Sequence, residues 1–507
     1  MGLPLSERDP LTRRVFLTRA ARLVLTLGAT PLFGAGSALR AQTPYASGLW
    51  LSGDHHIHTK YSIDGRYEIS EQLDAAARTG LDFCVITDHG GPLHDKVTLT
   101  RAYPELVEAR KRHPKLIVFQ GLEWNIPAAE HGSVILPPTD DEAEVIADFE
   151  RHFDARNMKQ ASGELDAIEG VKYLQALRSQ PLFLANHPAR RGFDSPHELR
   201  NWADAGPDVM RGFEGAPGHG AATLVGELRG HYVEKPGPTS FPGYPLDSYR
   251  TFGGYDYYVA QVGGLWDSLL GEGRAFYITA NSDSHRYFGD PHVADIETYK
   301  TLGYVTRSEA TEPFISGRPR HDTDYPPGLY CQTRVYAARR DALAVMAGMR
   351  GGNMYTVLGG LIDGLQLWVH DGAQAAPMGG TLLLPRRGGT VEVVFSVALA
   401  QRPNLSRYLP ILHHIDLIAG RILGPAADRD SMGNPTTKIV ARLLMSQAER
   451  NGNVLTFRYS FTDVKDSFYV RIRGTNTEVL EPRLDPPGIN PWTDLWFYSN
   501  PILIRVP

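Results

Sequence analysis

Five short apolar runs in the first two thirds of the chain each end in histidine, aspartate or glutamate, and this recurrence constrains the fold more than any other feature. Leu49-Trp50-Leu51 leads into Asp54-His55-His56-Ile57-His58-Thr59 and then Ser62-Ile63-Asp64-Gly65. Phe83-Cys84-Val85-Ile86 ends in Thr87-Asp88-His89, and Leu116-Ile117-Val118-Phe119 ends in Gly121-Leu122-Glu123, with His131 opening the next run. Leu182-Phe183-Leu184-Ala185 ends in Asn186-His187-Pro188, and the run from Ala275 to Thr279 ends in Asn281-Ser282-Asp283-Ser284-His285. Apolar runs of this length, bounded by turn residues, read as buried strands.

Helical patterns lie between the runs. Ser70 reads as the cap of a helix that reaches Thr79 and stops at Gly80, and Pro104 opens another in its first turn. From Asp166 to Gln180, Ile168, Val171, Leu174 and Leu177 fall on one face. Strand, helix, strand in series predicts parallel strands with helices outside them, and the helix from Asp341 to Met349 with the run from Asn353 to Val357 closes the series. In a closed barrel the C-terminal ends of such strands converge on one face, which is where the polar residues stand.

Past Leu361 the pattern changes to strands alone, in the runs from Val391 to Leu399, Ile415 to Ile418, Val454 to Phe461 and Ser467 to Ile472. Period-two alternation predicts a β-sandwich-like accessory domain over residues 362–507, behind an α/β domain over residues 49–361. The histidines divide the same way: of 18 in the chain, only His370, His413 and His414 lie in the second part. Two stretches interrupt the first part. Residues 235–258, rich in Pro, Gly and Tyr, read as a loop inserted near the mouth of the site, where Tyr244, Tyr255, Tyr257 and Tyr258 would pack or stack on a ligand; residues 309–330 are also irregular.

The first 41 residues read as an address. Arg13-Arg14, an apolar stretch interrupted by Arg19 and Arg22, and small residues ending at Ala41 form a twin-arginine (Tat) export signal, too short in its apolar run for a membrane span. The expected destination is the periplasm or the medium. Removing this segment takes away six arginines and two acids and moves the net charge from −5 to −9, which argues against duplex nucleic acid as a partner. Cys84 lies inside an apolar run and Cys331 is the only other cysteine, so no disulfide is expected. No later apolar stretch is long enough to cross a bilayer, and oligomeric state is not legible.

His56 and His58, two apart on an extended segment, point the same way and suit one metal ion. Nine candidate ligands stand at the strand ends: His56, His58, Asp64, His89, Glu123, His131, His187, Asp283 and His285. Zinc uses about four ligands and octahedral manganese or iron about six, so more than one ion is implied. The lack of cysteine among them favours an open hydrolytic site over a structural zinc cage.

The ordered set His56-x-His58, Ser62-x-Asp64-Gly65, Thr87-Asp88-His89, Gly-x-Glu123, His131, His187-Pro188 and Asp283-x-His285 resembles the PHP (polymerase and histidinol phosphatase) superfamily over about residues 50–360. The resemblance implies a distorted TIM-like (β/α)7 barrel carrying two or three divalent ions, zinc, manganese or iron. It assigns a first ion to His56, His58, Glu123 and Asp283, a second to Glu123, His131 and His187, and a third to Asp64, His89 and His285. The activity implied is metal-dependent hydrolysis of a small-molecule or oligomeric phosphoester, with bound cations lowering the pKa of water from 15.7 to about 7. Folding before Tat export would load the metals in the cytoplasm.

Further roles follow from position. Lys60, Arg190, Arg191 and Arg286 come directly after ligand motifs and are candidates to bind phosphate oxygens. Asp88 is a candidate partner for a ligand histidine and a proton shuttle. Glu214 and His219, after the run from Val209 to Phe213, are candidates for substrate contact, while His55 and His94 are expected near the mouth. The competing readings are an amidohydrolase-like hydrolase of a non-phosphate substrate and a module that binds a glycan or surface polymer.

Overall fold

The computed structural model describes residues 43–159, 163–218, 236–238, 240–287, 296–305, 325–404, 407–486 and 489–507. The Tat segment, His219, residues 235 and 239 of the first inserted stretch and residues 309–324 of the second lie outside them.

Strands β1 (Leu49–Asp54), β2 (Phe83–Ile86) and β3 (Ile117–Asn125) run parallel, with Gly53 opposite Phe83 and Phe83 opposite Ile117. Strand β4 (His131–Ile135) turns back antiparallel to β3, with Glu123 opposite Ser133, and β5 (Leu182–Ala185) is antiparallel to β4 and so resumes the first direction. Strands β6 (Met210–Ala216) and β7 (Tyr277–Ala280) follow in parallel. On the other side of β1 lie β8 (Cys331–Ala337) and then β9 (Met354–Leu358), each antiparallel to its neighbour.

The expectation of a wholly parallel series fails at β8, which is antiparallel to both β1 and β9, and at β4. A parallel crossover needs a dozen or more residues, and residues 126–130 are too few to return the chain to the far end of the sheet. The reversal puts the start of β4, not its end, beside the C-terminal ends of β3 and β5, and carries His131 to the rim. A helix that the sequence reading omitted, Glu142–Phe153, follows β4 and buries Ala143, Ile146, Ala147 and Phe149.

Helix boundaries also move. The first helix spans Ile69–Arg78 and is capped by Glu68, whose N–H donates to the Glu71 carboxylate at 3.0 Å, so Ser70 sits inside the first turn. The helix expected over 166–180 spans Glu164–Ala176, with Val171 and Leu174 buried and Leu177 beyond its end.

Alternate residues of the strands face two different cores. Leu51, Phe83, Val85, Phe119, Ile135, Leu182, Leu184, Tyr277 and Val335 gather in one cluster with Met346 and Met349. Cys84, Ile86 and Val118 point the other way, onto Leu73, Ala76, Leu106 and Ala109 of the covering helices. Each fully buried side chain of Leu or Phe size contributes roughly 1.5–3 kcal/mol, which is why the pattern of period two fixes each strand's orientation.

The C-terminal region is strand-rich, as expected: β10 (Ile362–His370), β11 (Ala375–Pro377), β12 (Thr381–Leu383), β13 (Gly389–Leu399), β14 (His414–Arg421), β15 (Lys438–Leu444), β16 (Glu449–Asn451), β17 (Val454–Val464), β18 (Phe468–Thr475), β19 (Trp496–Ser499) and β20 (Ile502–Arg505). One sheet has the order β11-β10-β13-β17-β16. The remaining strands do not form a second separate sheet: β18 pairs with β14, β19 and β20, and β19 pairs antiparallel with β9. Asn500 extends this union to β7. Its Oδ1 accepts from Ile278 N at 2.8 Å, and its Nδ2 donates to Ile278 O at 3.1 Å and Met354 O at 3.0 Å.

Among the described residues no helix is long and apolar enough to cross a membrane. Cys84 and Cys331 are both buried and form no disulfide.

Candidate metal centre

The residues that follow the strands are held in place by their own backbone. Ile57 bridges Ser284 in parallel fashion, and His89 bridges Glu123, so the strand pairing continues into the polar segments. His58 N donates to Ser284 O at 3.0 Å and Thr87 N to Ile57 O at 2.9 Å. The buried carboxylate of Asp54 accepts from the N–H groups of His56, Ser282 and Gly328 at 3.0 to 3.2 Å, tying together the segments after β1 and β7. Two candidate ligands sit at positive φ, His187 at 31° and Asp283 at 49°. Such backbone costs of order 1–3 kcal/mol for a non-glycine residue and persists where surrounding bonds impose it.

The nine candidate ligands are brought together. His56 Nε2 lies 3.1 Å from Glu123 Oε1, 3.2 Å from Asp283 Oδ1 and 3.0 Å from His58 Nε2. His58 Nε2 is also 3.1 Å from Asp283 Oδ1 and 3.3 Å from Glu123 Oε2. On the other side of Glu123 stand His89 Nδ1 at 2.9 Å, His131 Nδ1 at 3.2 Å and His187 Nε2 at 3.3 Å. Asp64 Oδ2 lies 3.5 Å from His89 Nε2 and 3.4 Å from His285 Nε2, and the His285 ring stacks on His58 at 3.9 Å.

These spacings suit metal ions. Donors about 2.0–2.2 Å from a tetrahedral ion are about 3.3–3.6 Å from one another. Three donor groups, His56-His58-Glu123, His89-Glu123-His131 and His58-Asp64-His89-His285, each have all ligand atoms within 4.8 Å. A fourth, Glu130-His131-His187, adds a carboxylate absent from the sequence-based set. Asp64 Oδ1 is buried without a hydrogen-bond partner among the described residues, as expected of an atom reserved for a ligand.

Charge points the same way. Burial lowers the pKa of His131 to about 4 and that of His187 to about 3, leaving both neutral and able to donate lone pairs at ordinary pH. Burial would raise Glu123, but His56, His89 and His131 hold its carboxyl well below the usual range. Burial would likewise raise Asp64, which His285 and His89 bring well below it. Burial disfavours charge on His56, yet Asp283, Glu123 and Glu214 raise it well above the ordinary value. The concentrated carboxylates demand a positive partner.

Several expected site residues have other partners. Glu214 is fully buried, so direct substrate contact is replaced by two internal bonds: Oε1 lies 2.6 Å from His56 Nδ1, and Oε2 accepts from His187 N at 2.7 Å. Asp88 bonds Thr59 through N–H at 2.5 Å and Oγ1 at 2.7 Å and bonds no candidate ligand histidine; burial raises its pKa. Lys60 is drawn to Glu68 and Glu105. Arg190 and Arg191 both bind the buried Glu130, next to His187, and Arg286 is buried.

His55 is buried against Thr279 Oγ1 at 2.7 Å and His94 against Glu150 at 2.8 Å, so neither stands at a mouth. Tyr244, Tyr255 and Tyr258 are buried, and the hydroxyls of Tyr244 and Tyr258 bond Asp194 O, which makes them packing residues. Sequence reasoning missed Asn186, whose Nδ2 donates to Glu123 Oε1 at 3.0 Å while its Oδ1 accepts from Ser133. Its place between a strand and His187 was the available signal.

Residues 54–178 match the PHP domain. No curated protein matches the chain. Among solved structures, a two-domain protein from Bacteroides vulgatus containing a predicted PHP-like metal-dependent phosphoesterase is similar at 15% identity, over 88% of this chain and 96% of that one, with a TM-score of 0.33. A protein from Bifidobacterium adolescentis described as a metal-dependent phosphoesterase shares 14% identity over 32% of this chain and 76% of its own, with a TM-score of 0.22. Endonuclease Q, solved with a 27-mer duplex substrate bearing an abasic lesion at the active site, shares 18% identity over 33% of this chain and 42% of its own, with a TM-score of 0.21.

Proposed function

We propose that the chain is a metal-dependent hydrolase of phosphoric esters, exported by the Tat route, with a multinuclear centre of two or three ions. The observation that carries this reading is the convergence of nine histidine and carboxylate side chains on donor spacings that suit metal ions, in a chain whose residues 54–178 match the PHP domain. His56, His58, Glu123 and Asp283 would hold one ion, His131 and His187 a second shared through Glu123, and Asp64, His89 and His285 a third. When bound, such cations polarise a phosphoryl oxygen and make water a nucleophile at neutral pH.

The protein's own part is positioning. The Asp54 bonds, Asn186 and the positive-φ backbone at His187 and Asp283 fix donors before any ligand arrives, so that little reorganisation is left to the reaction. Closure of the sheet into a distorted seven-stranded barrel is supported by the Ile57–Ser284 bridge and by Thr333 Oγ1, which accepts from Ala280 N and donates to Ala280 O at 2.8 Å each. Residues 49–361 would form this barrel and 362–507 the accessory region.

The test is turnover of aryl phosphate monoesters and diesters by metal-loaded protein, set against His56→Ala and Glu123→Gln. Each loses a direct donor, and the drop in rate should exceed the roughly 10–100-fold typical of outer partners. Absence of metal-dependent turnover on both ester classes would remove the phosphate assignment, and a phosphate-free hit would favour another hydrolase. Fractionation of a tagged full-length chain, with and without Arg13-Arg14→Lys-Lys, tests export; an unchanged distribution would overturn it.

A further inference from the structure

We infer that Glu214 is a positioning residue: its carboxylate fixes His56 in the tautomer that presents Nε2 to a metal ion, and at the same time anchors the backbone of His187. The inference rests on the metal-centre reading above and names a residue outside the nine candidate ligands. Glu214 lies on β6, whereas His56 follows β1 and His187 follows β5. One fully buried side chain therefore joins two segments that are far apart in the chain.

The chemistry of the two partners makes the carboxylate hard to replace. His187 offers its backbone N–H, which can only donate, to Oε2 at 2.7 Å. His56 offers Nδ1 to Oε1 at 2.6 Å while its Nε2 faces Glu123, Asp283 and His58. A neutral imidazole with a lone pair at Nε2 carries its proton on Nδ1, so this contact is also a donation toward Glu214. Both partners donate, and a carboxylate accepts at both oxygens. A glutamine in the same place accepts at one end only. Turned either way, its amide NH2 meets a donor, so Glu214→Gln must lose the His187 anchor or push the His56 proton from Nδ1 to Nε2, where it blocks the ligand position.

The backbone of His187 gives the second half of the role. At φ 31° it sits in a conformation that a side chain rarely adopts, and the Glu214 bond is one of the contacts that hold it. Removing that bond lets the loop relax away from the geometry that carries His187 Nε2 to within 3.3 Å of Glu123. A single substitution at Glu214 thus reaches the groups on both sides of Glu123.

The experiment measures metal rather than activity alone. Full-length wild type, Glu214→Gln and Glu214→Ala are loaded with manganese or zinc, and bound metal is measured by elemental analysis and by competition with a chelator. The expected result is that Glu214→Gln loses metal as severely as Glu214→Ala, with affinity roughly 10–100-fold weaker than wild type. A residue that only filled space would be rescued by the isosteric glutamine, and wild-type metal content in Glu214→Gln overturns the inference while leaving the functional reading intact. Wild type that holds no divalent metal overturns both. A crystal structure of loaded wild type decides the case without any variant: Nε2 of His56 on the ion with Nδ1 at Glu214 is expected, and Nδ1 on the ion overturns it.

Discussion

Burial alone would raise the pKa of Glu130, yet Arg190 and Arg191 hold its carboxyl down at about 2. With an ordinary value of 4.5, the ionised group contributes stability that is fully present above pH 4.5 and is lost as the pH falls through about 2. That gap corresponds to about 3 kcal/mol. Glu130→Gln should therefore lower stability at neutral pH by a few kcal/mol and flatten the acid limb of a pH–stability curve measured by chemical denaturation. An acid limb identical to wild type would count against the arginine pairing. Glu130 also shows where residue-level reading stops. The nine donors were legible because eight follow an apolar run and His131 opens one, a local signal. Glu130, Asn186 and Glu214 depend on partners from other strands, and Lys60, Arg190 and Arg191 looked available only because the carboxylates that engage them are distant in sequence or were read without a role.

Among the elements, β4 decides whether the second donor group exists. Its reversed direction places His131 at the rim, and its spacing from β5 depends on Gly132, where an added Cβ would stand 2.3 Å from Phe183 Cε2. Gly132→Val should lower stability by about 1–3 kcal/mol through overpacking and should cost bound metal by moving His131. Denaturation and elemental analysis of the same preparation check both, and a folded variant with unchanged metal content would show that β4 tolerates the shift. The apolar run of β4 was visible in the sequence, but its direction was not, since period-two patterns are the same read forwards or backwards. The helix Glu142–Phe153 carried its own signal in Ala143, Ile146, Ala147 and Phe149, at helical spacing, and was legible. The cap at Glu68 was not, because serine two residues later is the more usual choice.

For the whole molecule, the boundary near Leu361 describes composition better than it describes hydrogen bonding. The strand-rich character of residues 362–507 was legible from alternation, but which strand pairs with which is a long-range choice that alternation does not encode. Here β19 completes β9, and Asn500 satisfies Ile278 on β7. Asn500→Ala strips three side-chain hydrogen bonds and leaves the buried N–H and carbonyl of Ile278 to find other partners, while Met354 O keeps the Asn500 N–H at 3.3 Å, so a loss of about 1–3 kcal/mol is expected in urea denaturation. A loss below about 0.5 kcal/mol would mean that the two regions are only loosely joined. The same joint sets an order of events during synthesis. Asn500 is 222 residues beyond Ile278, and β7 is the strand that leads to Asp283 and His285. Histidines 56 and 58 leave the ribosome long before Asn500 does, so the strand that leads to their partners gains this neighbour only after residues 279–499 have been made.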